Sequence, residues 1–243
     1  MLDIISRACL HPVDYSGVLR TTTLRFKEKI QENENTYSFI FEAPKLPSWK
    51  AGQHAIFTIP GANVEGKTWR PFSVASAPSE NVVRIGTIVP PEPSSFKQKL
   101  MALQPGDKVR MFGPYGELCL KPNMNKVIAV AGGIGITPFR SIVCDMAESE
   151  KDVNFHLIYS ARAEHVYKAE LEDWKARLPN LKITYTATAE EVNTELLNEI
   201  TNNNKDTYYL LSGAPGMIEA LRKNLIGNQV TRNHIVNDPF KGY

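Results

Sequence analysis

Gly132, Gly133 and Gly135 stand between an unbroken apolar run at 127–131 and a helical pattern through Phe139, Ile142 and Val143. That order suits the binding of a phosphate group. Glycines let backbone N–H groups approach an anion closely, and a helix start adds unpaired donors and a positive dipole end. Thr137 and Pro138 open the helix, where the missing N–H of Pro138 costs nothing. The spacing departs from G-x-G-x-x-G, since the third glycine position counted from Gly133 is Pro138. The dehydrogenase fingerprint is therefore absent, and a glycine turn with no ligand is the plain alternative.

Two further stretches could carry chemistry. In R-P-F-S-V-A-S, residues 70–76, strand alternation puts Arg70, Phe72 and Val74 on one face and Ser73 on the other. At the mouth of a barrel these would offer a cation, an aromatic plane and a hydroxyl to one planar ligand. An exposed arginine, a core phenylalanine and a strand-end serine are the structural alternative. In P-E-P-S-S-F, residues 91–96, Ser94 or Ser95 would cap a helix and leave N–H groups for a phosphate.

The elements that must position these residues fall into two halves. From 18 to 89 the chain reads as short strands at 18–26, 36–42, 53–59, 70–76 and 82–89, separated by turn residues. A helix at 95–103 and a closing strand at 109–112 follow, which together predict an antiparallel β-barrel over 1–121. Residues 121–125 read as a linker. From 126 to 243 strands and helices alternate: strands at 127–131, 153–160, 181–187, 207–212 and 234–236, helices at 167–177, 192–201 and 215–226. This predicts a doubly wound parallel sheet, whose ligands bind at the carboxyl ends of the strands. The glycine turn and S-G-A-P-G-M, residues 212–217, both fall at such ends.

Composition bounds the rest. At 243 residues the chain accommodates two domains, and 42% apolar content supports ordinary cores. Net charge is +2 with the signs interspersed, which gives no footprint for nucleic acid. No apolar stretch approaches 18 residues, so no transmembrane segment is expected. The start lacks the basic n-region of a signal peptide. Cys9, Cys119 and Cys144 are far apart, and the five histidines lack ligand spacing, so neither a disulfide framework nor a metal or iron–sulfur site is predicted. A reducing cytoplasm is the expected compartment.

A barrel carrying R-P-F-S, then an α/β domain carrying G-G-I-G-I-T-P and S-G-A-P-G-M, with a terminal D-P-F-K-G-Y, resembles the ferredoxin–NADP reductase family of two-domain flavoproteins. The resemblance runs from about Ser16 to Tyr243 and is nearest to the bacterial single-chain reductases. It implies FAD in the barrel, with Arg70 on the diphosphate and Phe72 against the isoalloxazine, where the family more often has Tyr. Ser73 would lie near flavin N5, Ser76, Ser94 and Ser95 near the phosphates, and Pro71 and Thr87 among the other flavin contacts. Phe240 or Tyr243 would cover the flavin's exposed face, after an acidic Asp238. The second domain would hold NADH or NADPH: Gly132, Gly133, Gly135, Thr137 and Pro138 on one wall, Gly213, Pro215 and Met217 on the other, with Ser160 and Arg162 beyond. Ser212 stands where the family often has cysteine, so a thiol beside the reacting carbon is replaced by a hydroxyl. Ser73, Ser212 and Asp238 are the implied catalytic positions.

The implied activity is passage of a hydride from NAD(P)H to FAD, then of electrons to an external acceptor. The protein supplies geometry: nicotinamide C4 must come within about 3–3.5 Å of flavin N5. A ferredoxin or flavodoxin, an oxygenase component, a quinone, or ferric and free-flavin substrates are all compatible acceptors. The loop at 186–191, T-A-T-A-E-E, is acidic and lacks the Arg or Lys that a 2′-phosphate needs, which leaves Arg162 as the candidate cation. Two alternatives stay open: an electron-transfer subunit inert until docked on a larger redox complex, and a nucleotide-binding regulatory module without turnover.

Overall fold

The structure, a computed structural model, describes residues 12–17, 19–149, 151–201 and 206–237. It divides into two compact units, Met1–Cys119 and Leu120–Tyr243. The expected linker at 121–125 belongs to the second: Met124 is buried there, and its N–H closes a turn on Lys121 O.

In the first unit a single helical turn, α1 (Pro12–Tyr15), precedes five strands. These are β1 (Thr21–Gln31), β2 (Thr36–Glu42), β3 (His54–Thr58), β4 (Trp69–Ser73) and β5 (Val83–Ile88). Helix α2 (Ser95–Met101) and strand β6 (Lys108–Tyr115) complete it. The strands form one antiparallel sheet in the order β4-β3-β6-β1-β2-β5, curled into a half-barrel. Phe26, Phe39, Phe41 and Phe57 from the strands and Phe96 from α2 fill its interior.

Strand β1 starts later and runs five residues further than the expected 18–26. Only Leu24 and Phe26 among its side chains are buried, so the stretch K-E-K-I-Q carries no apolar signal. It is held instead by backbone pairing to β2, where Lys29 faces Phe39 and Gln31 faces Tyr37. Strand β6 likewise reaches Tyr115 rather than Phe112. At the other edge β4 ends at Ser73, short of the expected Ser76, because the chain turns there from β3 to β5. The Val74 N–H still reaches Gln53 O at 2.9 Å, but the Ala75 N–H bonds Arg84 O at 2.7 Å. That corner curls the two sheet edges toward each other.

The second unit holds strands β7 (Lys126–Gly132), β8 (Asn154–Ser160), β9 (Leu181–Thr186), β10 (Thr207–Ser212) and β11 (Ile235–Asn237). Its helices are α3 (Thr137–Ser149), α4 (Lys168–Arg177), α5 (Ala189–Thr201) and α6 (Pro215–Gly227). All five strands are parallel, in the order β11-β10-β7-β8-β9. Central β7 is buried on both faces from Val127 to Ala131, which explains its unbroken apolar run. Among the described residues no helix is long and apolar enough to cross a membrane.

A polar cluster lies between this sheet and α5. His156 Nδ1 meets Glu199 Oε1 at 2.7 Å and Nε2 meets Thr184 Oγ1 at 2.9 Å. Burial and the nearby Lys182 charge pull the His156 pKa below its usual 6.5, against the opposing pull of Glu199 and Glu195. The native state therefore binds fewer protons than the unfolded chain, and His156 adds stability above pH 6.5 that fades as the pH falls through its lowered pKa. Comparing the wild type with His156→Gln by thermal melts between pH 8 and 5, we expect the variant to lose less stability on acidification. Parallel curves would show that His156 does not set this dependence.

Candidate cofactor-binding site

In the half-barrel unit, Arg70, Phe72 and Ser73 sit together on edge strand β4. The Arg70 guanidinium lies 5.4 Å from the centre of the Phe96 ring, and its Nη1 donates to Lys67 O at 2.5 Å and Trp69 O at 2.9 Å. These contacts fix a largely buried cation at the rim of an aromatic core. Phe72 packs edge-on to Phe57 at 5.8 Å and tilted on Phe96 at 6.3 Å, and stays only half-buried. Pro71 and Ser73 are buried beside it, and Thr87 is buried on β5.

The serines divide by role. The Ser76 hydroxyl donates to Val82 O at 2.7 Å and accepts the Arg84 N–H at 3.0 Å, so it ties the β4–β5 corner. Ser94 takes the N-cap position of α2, but its hydroxyl makes no capping bond. Ser95 Oγ accepts the Glu65 N–H at 3.0 Å and anchors the preceding loop. Neither serine side chain caps the helix, contrary to the sequence expectation. The tertiary approach of Glu65 supplies Ser95 with a partner that local spacing cannot reveal.

In the α/β unit the glycine turn and the 212–217 loop lie against each other at the carboxyl ends of β7 and β10. A Cβ on Gly132 would strike Met217 Sδ, and one on Gly135 would strike the Ser212 carbonyl. A Cβ on Gly213 would come within 3.2 Å of Gly132 N. Gly135 is required by the close approach of two backbones, whereas the thioether of Met217 beside Gly132 can move aside. Gly133 is different: its φ is +53° and the space beside it is open for 4 Å. A ligand can approach its backbone from that open side.

Thr137 Oγ1 donates to Ile134 O at 3.0 Å, closing the 3-10 turn that leads into α3. Pro138 is buried in the first turn of α3. Helix α6 starts at Pro215 behind Ala214, which has no side-chain acceptor, so its first N–H groups receive no cap. The start of α6 is thus exposed and uncapped at this edge, whereas the Thr137 N–H at the start of α3 is already bonded to Ile134 O.

Further along the edge, Gly132, Ser160 and Thr186 align in register across β7, β8 and β9. Thr186 Oγ1 is buried and has no hydrogen-bond partner among the described residues. An orphaned hydroxyl in this row fits a ligand bearing hydroxyl groups. Arg162 is exposed on the loop after β8. His165 was not legible from sequence spacing, yet it joins the two strand ends. Its Nε2–H donates to both Tyr159 O and Thr186 O at 3.1 Å, with the ring edge-on between Tyr159 and Tyr185. Burial raises both phenols, so both stay neutral. Asp238, Phe240 and Tyr243 lie outside the described residues.

Residues 129–223 match the family described as oxidoreductase NAD-binding domain. A ferredoxin NADP+ reductase from Neisseria gonorrhoeae, solved with bound FAD and NADP, superposes with a TM-score of 0.73 at 19% identity. That match covers 90% of this chain and 98% of the other. This chain has the ferredoxin–NADP reductase fold. Its second unit carries the NAD-binding domain that the sequence resemblance implied.

Curated relatives include an NADH-cytochrome b5 reductase-like protein from Arabidopsis thaliana, 28% identical across 79% of this chain and 64% of that protein. Another is a probable dihydroorotate dehydrogenase B (NAD(+)) electron transfer subunit from Methanocaldococcus jannaschii. It is 32% identical across 58% of this chain and 48% of its own length. The chain thus spans between about half and two thirds of these relatives.

Proposed function

We propose that this chain is an FAD-dependent reductase that accepts a hydride from NADH and delivers electrons to a separate redox protein. The observation that carries the reading is the presence, in one chain, of the Arg70–Phe72–Ser73 rim and of a match to an NAD-binding domain whose backbone at Gly133 stands open. Bound FAD supplies a two-electron acceptor able to release electrons singly or in pairs. Arg70 counters the diphosphate charge, Phe72 offers a ring face, and Ser73 offers a hydroxyl. The backbone at Gly133 and the uncapped start of α6 receive the coenzyme's phosphates. The residues bind and orient, and none is required as an acid or a nucleophile.

NADH is favoured over NADPH by the turn after β9. The Ala187 N–H donates to Glu191 Oε2 at 2.7 Å, and the Glu191 N–H donates to Thr188 Oγ1 at 3.2 Å. The start of α5 is thus already closed by a carboxylate, with Glu190 beside it. A 2′-phosphate there would meet like charge, with Arg162 as the cation of the neighbouring loop. We expect kcat/KM for NADH to exceed that for NADPH by about tenfold or more, roughly 1.4 kcal/mol of discrimination. Equal values, or a preference for NADPH, would overturn the coenzyme assignment.

The deciding experiment is an anaerobic titration of the flavin-loaded protein with NADH, following the flavin absorbance. Bleaching supports the reductase, and a protein that takes up no FAD refutes it. A ferredoxin, flavodoxin or oxygenase component is the class of acceptor we assign. Among the described residues no cluster of three His, Cys, Asp or Glu side chains could hold a metal. Likeness to an electron-transfer subunit favours a second reading, in which turnover requires docking on a larger complex. Bleaching by NADH without steady-state reduction of small acceptors would support it. We place the protein in the cytoplasm, where the buried free thiols of Cys119 and Cys144 would stay reduced.

A further inference from the structure

We propose that Lys97 is a second cation, beside Arg70, for the diphosphate of FAD in the half-barrel unit. The assignment rests on the flavin reading above. Lys97 lies in the first turn of α2, half-buried, where its Nζ donates to Ile88 O at 2.8 Å. Among the described residues no carboxylate lies within ion-pair distance of it. Its chain neighbour Phe96 carries the Arg70 guanidinium over its ring.

Without a ligand this arrangement is unfavourable. Burial, and then the positive charge of Arg70, both pull the Lys97 pKa down, and no acidic group opposes them. An apolar side chain would pack against the half-barrel at this position with neither penalty. A partly desolvated ammonium beside a guanidinium becomes favourable once an anion lies between them. A diphosphate carries two negative charges and matches two cations. The contacts of Arg70 Nη1 with Lys67 O and Trp69 O hold one cation in place beforehand. Lys97 is held by Ile88 O in the same way. Local cost in the free protein with benefit in the complex marks a binding site more than a packing site.

The test compares FAD binding by flavin-stripped wild type, Lys97→Met, Lys97→Arg and Arg70→Ala, read by quenching of FAD fluorescence. Lys97→Met should weaken FAD by about tenfold or more, as expected for loss of one charge-assisted contact. Lys97→Arg should retain most of the affinity. The flavin-free Lys97→Met protein should melt at the wild-type temperature or above it, because the like-charge pair is gone, whereas a packing role would lower its melting point. Unchanged FAD affinity in Lys97→Met, with affinity lost in Arg70→Ala, overturns this assignment and leaves the flavin reading intact. A wild type that binds no FAD removes both. Should Lys97→Met fail to fold, amine acetylation of the wild type mapped by mass spectrometry decides the matter. FAD should protect Lys97, and equal labelling with and without FAD overturns the proposal.

Discussion

Arg70→Ala should purify largely free of flavin while keeping its fold. The lost contact is charge-assisted and made by a largely buried cation, worth about 1.5–3 kcal/mol, which corresponds to roughly a 10- to 100-fold loss of FAD affinity. The loss should fall at the upper end because truncation also frees the carbonyls of Lys67 and Trp69, so the rim itself is less well fixed. Arg70→Lys is the informative companion. It keeps the charge but not the planar guanidinium, whose Nη1 bonds both carbonyls and which lies over Phe96. We expect intermediate affinity. Flavin content per protein and the melting temperature of the stripped proteins give the two readouts. Full flavin content in a well-folded Arg70→Ala would show that the diphosphate lies elsewhere.

The second large effect separates the glycines of the turn after β7. Gly133→Ala should fold, since its Cβ meets nothing within 4 Å and the only strain is a φ of +53°. That strain costs about 1–2 kcal/mol. Its expected defect is in the coenzyme: the new methyl stands where a phosphate would approach the backbone, and the KM for NADH should rise about tenfold with FAD still bound. Gly135→Ala should do the reverse. Its Cβ would lie 2.6 Å from the Ser212 carbonyl carbon and 2.8 Å from Gly213 Cα, both backbone atoms that cannot yield by a rotamer change. We expect a loss of about 1–3 kcal/mol in stability, as for overpacked interiors. Normal NADH affinity in Gly133→Ala would remove Gly133 from the coenzyme site. A Gly135→Ala protein as stable as the wild type would show that the two loops can separate.

Much of the architecture was legible in the chain itself. The β-forming residues at 36–42 and the continuous apolar run at 127–131 specify strands, the second buried on both faces because a parallel sheet covered on both sides leaves an unbroken apolar run. Strand–helix alternation after 126 dictates a parallel sheet, since parallel neighbours need crossovers. The glycine turn and the 212–217 loop follow as its carboxyl-end loops. What sequence alone determined is therefore the element types, their order and the two loops where chemistry could occur.

The partnerships were decided by tertiary structure. Lys27–Gln31 became strand through a backbone ladder to β2, which no side-chain pattern records. Of the serines expected at the phosphates, Ser76 went to the β4–β5 corner and Ser95 to the Glu65 N–H, because hydrogen bonds are satisfied by whatever folding brings near. His165 links carbonyls six and twenty-one residues away, a spacing without periodic meaning. Gly135 is packed against the backbone of the facing loop while Gly133 is open, a distinction between identical residues that depends on what stands opposite each. Lys97 reads in sequence as one more helix lysine. Only its depth beside Arg70 makes it a charge in need of an anion.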